Sequence, residues 1–111
     1  MASLTLYTAS AQVTKPITKR AFKDLLFEKR WFLTWEKTYP NGVVRVDYFS
    51  FEVDAEPIDL DMVLGEDGNV FELRVLTRKE GVLEKFQEAI GDLIEPFDIH
   101  RADIGVIQRA S

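Results

Sequence analysis

The chain has 111 residues, 46% of them apolar, thirteen aromatic side chains, no cysteine and a formal net charge of −5. One domain is expected at this length, disorder is excluded by the aromatic content, and disulfides, thiol nucleophiles, thiolate zinc sites and iron–sulfur clusters are excluded by the missing cysteine. The charge is uneven: residues 1–47 hold eight basic and four acidic side chains, residues 48–111 six basic and fifteen acidic ones. The acidic total argues against general nucleic-acid affinity, and the asymmetry predicts halves that pair internally or a basic and an acidic face for partners.

Residues 3–13 alternate apolar and hydroxyl side chains and predict a strand. Ala9-x-Ala11 has the spacing of a signal cleavage site, but no basic segment precedes it and its apolar stretch is short, so the strand reading is preferred. Residues 15–30 predict a helix capped by Thr14 or Thr18. Ala21, Phe22, Leu25 and Leu26 share one arc, and Lys29 would point into it, so the helix frays before Lys29.

Residues 31–53 predict a β-hairpin around Tyr39-Pro40-Asn41-Gly42. A four-residue loop, with Glu36 opposite Arg45 and Trp35 opposite Val46, avoids the like-charge pair of Glu36 with Asp47 that a two-residue loop creates. The apolar phase then slips from Val44, Val46 and Tyr48 to Phe49, Phe51 and Val53, which predicts a bulge near Tyr48 or burial on both faces. A second hairpin is expected over residues 58–76. Thr77-Arg-Lys-Glu80 has capping-box spacing and opens a helix over 78–94, with Val82, Phe86, Ala89, Ile90 and Leu93 as its stripe. Pro96 stops it, and a last strand is expected from Ile104 to Ile107.

The order β-α-β-β-β-β-α-β predicts an α+β two-layer sandwich, with two helices on one face of a mostly antiparallel sheet of five to six strands. It resembles in topology a split β-α-β arrangement with an inserted hairpin.

Several groups of residues invite a function. On the first helix Lys19, Arg20, Lys23 and Arg30 surround Phe27, and Trp31 follows one turn later. An aromatic anchor ringed by cations is what a protein-binding hot spot uses. The plainer alternative packs Phe27 under a loop and pairs the cations within the chain. Glu80, Glu84, Glu88 and Asp92 form an acidic ridge on the second helix, either a docking ridge for a basic partner or a solvated face. Arg45-Val-Asp-Tyr48-Phe-Ser-Phe51 is a poor match to a base-stacking strand, so Phe49 and Phe51 are expected in the core. Asp59, Asp61, Glu66 and Asp67 do not make a calcium loop, because Met62, Val63 and Leu64 interrupt them. His100, the sole histidine, shares a face with Asp98 if the segment is extended, but no nucleophile elbow or second histidine accompanies it.

The polar residues are scattered rather than convergent, which points away from catalysis; no metal or cofactor is expected. The leading expectation is a small cytosolic interaction module, a regulator or assembly factor. It binds a protein through the Phe27/Trp31 basic patch, the acidic helix, or both. One rival is a single-stranded nucleic-acid binder stacking bases on Trp31, Phe32 and Trp35. Another is a small-molecule site or modest enzyme between sheet and helices, with Tyr48, His100 and Asp98 as its polar groups. The cytosolic expectation rests on the lack of cysteine and of any apolar run near the ~18 residues that cross a bilayer. Oligomeric state is not legible in the sequence.

Overall fold

A computed structural model describes residues 3–105. It contains β1 (Ser3–Gln12), α1 (Lys19–Glu28), β2 (Phe32–Thr38), β3 (Val43–Phe49), a short 3-10 turn (Phe51–Val53), β4 (Ile58–Leu64), β5 (Val70–Thr77), α2 (Glu80–Ile90) and β6 (Asp98–Gly105). The six strands form one antiparallel sheet in the order β2-β3-β4-β5-β1-β6. Both helices pack on one face of it, which is the expected α+β sandwich. None of the helices is long and apolar enough to cross a membrane.

The core follows the period-two pattern of the strands. Val44, Val46 and Tyr48 on β3, Ile58, Leu60 and Met62 on β4, and Leu73 and Val75 on β5 are buried toward the helices. Phe22 and Leu26 of α1 close one end of this layer, and Val82, Leu83, Phe86 and Ile90 of α2 close the other. On β1 the inner residues are the small Ala9 and Ala11. Ala21, expected in the stripe, is exposed; Leu25 is half-buried.

Three local expectations are corrected. First, the β2–β3 loop has three residues, Pro40 to Gly42: the Tyr39 amide donates to the Val43 carbonyl at 2.8 Å, and Gly42 takes φ +84°. Trp35 therefore faces Asp47 and Glu36 faces Val46. A one-residue change of register turns side chains over, so from Trp35 onward β2 is inverted: Trp35 goes to the uncovered face and Glu36 to the helix side. Phe32 and Leu33 keep the register of the four-residue loop, opposite Phe49 and Tyr48. Second, the bulge lies on β2, between Leu33 and Trp35, rather than near Tyr48. The apolar phase slips on β3 because the strand ends at Phe49 and the 3-10 turn begins. Third, Thr77 does not cap α2. It is the last residue of β5, buried, with its hydroxyl donating to the Pro57 carbonyl at 3.4 Å, and Lys79 precedes the helix without a side-chain cap.

Thr18 does cap α1, accepting from the Ala21 amide at 3.2 Å. At the other end Arg30 adopts φ +65°, the Trp31 amide donates to the Leu26 carbonyl at 2.9 Å and the Arg30 amide to the Phe27 carbonyl at 3.0 Å. These two bonds are a Schellman motif with arginine where glycine is the common choice. β6 begins at Asp98, earlier than expected; Val106 and Ile107 lie outside the described residues.

Candidate functional site

The end of α1 decides which aromatics reach solvent. In a Schellman motif the residue after the left-handed one packs against the last helical turn. Here those residues are Trp31 and Leu26, and both are buried. Trp31 lies in the core with its ring edge-to-face on Phe86, centroids 5.2 Å apart. The expected pairing of Phe27 and Trp31 on one surface is thus corrected: the motif sends Trp31 inward and leaves Phe27 outside, 67% exposed.

Phe27 nevertheless has aromatic company. Its ring meets Phe32 edge-on at 5.9 Å, Phe32 lies 5.7 Å from Phe49 and 6.0 Å from Phe51, and Phe49 and Phe51 meet at 5.0 Å. The four rings run from the end of α1, across the start of β2 and the end of β3, to the 3-10 turn. Phe51 is 74% exposed, which corrects its expected place in the core. Leu33 and Trp35 of β2 are also exposed, on opposite faces of the sheet, Leu33 paired with Tyr48 and Trp35 with Asp47. Offset and edge-to-face rings hold one another at about 0.5–1.5 kcal/mol per pair, so the cluster is a shaped surface and not four loose side chains.

The cations around Phe27 divide into two sets. Lys23 bonds Glu36 directly, and Lys19 reaches the same carboxylate at 3.8 Å. The Lys23 hydrogen bond, with the charges of Lys23 and Lys19, holds the Glu36 carboxyl below its ordinary pKa. Both lysines therefore fasten α1 to β2. Arg20, Lys29 and Arg30 are exposed and form no ion pair among the described residues. On α2, Glu80, Glu84 and Glu88 are exposed; Glu88 is bridged by Lys85 at 3.3 Å. Asp92 is exposed too, but lies past the end of α2.

The edge strand β2 carries a bulge, an inward-facing Glu36 and Lys37. Those devices hinder a further strand from pairing with it. Contact at this edge falls to the side chains.

The sheet face away from the helices is uncovered, and the register lays its side chains in rows. One row reads Lys37, Arg45, Asp61, Arg74, Ser10, Asp98; the next reads Trp35, Asp47, Asp59, Leu76, Thr8, His100. Arg45 grips Asp61 with two hydrogen bonds, of 2.8 and 3.0 Å, and this carboxylate raises the Arg45 pKa. Asp47 and Asp59 face each other directly. Burial, the hydrogen bond to Asp59 and the Asp59 charge push the Asp47 carboxyl up to about 6, against a smaller opposing effect of Arg45. A trough of about 410 Å³ crosses the middle of this face.

The three polar groups considered for a small-molecule site or modest enzyme are split by the sheet. His100 Nε2 lies 3.0 Å from Asp98 Oδ2 on the uncovered face, both exposed. Tyr48 is buried on the helix side, where burial first and the Glu36 charge second push its hydroxyl up to about 12. Strand alternation makes this separation unavoidable, since Tyr48 shares its phase with Val44 and Val46.

The trough and Phe51 were not legible as sites: the first depends on register across six strands, the second on where β3 stops. No protein-family description, curated protein or solved structure matches this chain.

Proposed function

We propose that this chain is a protein-interaction module whose docking surface is the aromatic cluster of Phe27, Phe32, Phe49 and Phe51. The observation that carries this reading is the exposure of Phe27 and Phe51, at 67% and 74%, within one connected group of rings. A contiguous exposed apolar patch is uncommon on a protein with no partner, because leaving it in water forgoes roughly 25 cal/mol per Å². Phe27 and Phe51 are the anchors. Arg20, Lys29 and Arg30 supply the cationic rim on the α1 side, so the partner offers apolar side chains bordered by carboxylates.

Stacking of single-stranded nucleic acid is less well supported. Trp31 has no open face, and two of the lysines on α1 already serve Glu36.

The test is affinity capture from the source cells with the wild-type chain and with the double variant Phe27→Ala, Phe51→Ala. A protein retained by the wild type and lost from the folded double variant supports the reading. Identical retained sets remove the patch from it.

A further inference from the structure

We propose that the trough on the uncovered sheet face binds a small zwitterion of the amino-acid type, its carboxylate on Arg74, its ammonium on Asp59 and its apolar side chain over Leu76. The trough is about 410 Å³, and Arg74, Asp59, Leu76, Thr8 and Ser10 are among the residues that line it. That volume falls near the lower end of the roughly 300–1,000 Å³ typical of small-molecule sites.

The lining is bipolar. Arg74 donates through Nε to Glu72 at 2.6 Å, which leaves both Nη groups without a protein hydrogen-bond partner among the described residues. Asp59 faces the like charge of Asp47 and forms no ion pair among the described residues. Arg74 stands opposite Asp61, and Leu76 opposite Asp59. Arg74 and Asp59 are thus diagonal neighbours, about 7–8 Å apart by sheet geometry. With both side chains lining one trough, a carboxylate on Arg74 and an ammonium on Asp59 would each add a charge-assisted hydrogen bond. Arg45 does not compete for the carboxylate on equal terms, because Asp61 already occupies two of its donors. Beside the two charges, Leu76 gives an apolar floor and Thr8, its partner across β5 and β1, a hydroxyl. The ammonium would also relieve the repulsion between Asp47 and Asp59.

The probes are L-leucine, leucyl-leucine, leucine methyl ester and N-acetyl-leucine, titrated into the full chain and followed by amide NMR and calorimetry. Leucine or the dipeptide should saturate shifts at Thr8, Asp59 and Leu76, and the one that binds more tightly fixes whether the ligand is an amino acid or a short peptide. The ester, which lacks the carboxylate, and the acetyl compound, which lacks the ammonium, should bind about tenfold or more weakly. Asp59→Asn and Arg74→Gln should each weaken binding by a similar factor, and both exposed positions leave the core intact. No saturable shift with either zwitterion up to about 10 mM, a weak-binding limit, overturns the proposal. Equal binding of the ester or acetyl compound, or full binding by both variants, does so too. Phe27 and Phe51 lie outside the trough, so the double variant that tests the aromatic patch should bind leucine unchanged, and failure of one reading leaves the other standing.

Discussion

Trp31 and Phe86 meet edge to face, centroids 5.2 Å apart, and join the end of α1 to α2 inside the core. Four residues earlier in the chain Phe27 points to solvent. These two aromatics should therefore respond in opposite ways to truncation. Trp31→Ala should lower stability by about 3–5 kcal/mol, the range for removing a large buried ring. Phe27→Ala should stay within about 1 kcal/mol of the wild type, as exposed substitutions do. Urea unfolding of the two variants measures both.

Arg30 holds the left-handed position of the Schellman motif at φ +65°. A side chain there carries a steric cost that glycine does not. Arg30→Gly should raise stability by about 0.5–1 kcal/mol in the same unfolding experiment. A loss would mean that the arginine side chain makes a contact worth more than the backbone relief.

Asp47 and Asp59 set a pH dependence whose sign is opposite to that of an ordinary ion pair. The Asp47 pKa is raised in the fold, to about 6 from an ordinary 3.8. Between those values the folded state binds more protons than the unfolded one, so stability falls as pH rises through the window. Water around the pair screens the effect, leaving on the order of 1 kcal/mol. Asp47→Asn should be more stable than the wild type at pH 7.5 by that amount and lose the advantage at pH 4. Denaturation midpoints at the two pH values give the answer.

Glu36 behaves conversely. The Lys23 hydrogen bond, with the charges of Lys23 and Lys19, lowers its pKa below 4.5. Its stabilisation is fully present above that ordinary value and is lost as pH falls through the lower, folded one. Glu36→Gln should cost about 0.5–1 kcal/mol at pH 7, the scale of a partly exposed ion pair. The difference from wild type should shrink in acid, as tracked by the same midpoints.

The strand and helix order was legible because apolar periodicity changes cleanly from two to 3.6 along the chain. Register was not. Whether Trp35 faces the core or solvent hangs on a loop of three residues rather than four, and Tyr39-Pro40-Asn41-Gly42 is compatible with both. The exposure of Phe27 among the α1 residues was readable from helical geometry, whereas the burial of Trp31 was not. A Schellman ending usually announces itself with glycine, and here the position holds Arg30. Phe51 was misplaced because it keeps the alternation of β3 after the strand has ended. The uncovered-face rows combine residues up to 92 positions apart, Thr8 and His100, and no local pattern joins them.

A photoreactive benzoylphenylalanine in place of Phe51, irradiated in the source cells, tests the docking surface most directly. Phe71, 46% exposed but outside the four-ring cluster, is the control position. A discrete cross-linked partner from position 51, absent from position 71 and suppressed by Phe27→Ala, is the predicted result. The same products from both positions, or none from 51, would contradict a partner seated on the aromatic patch.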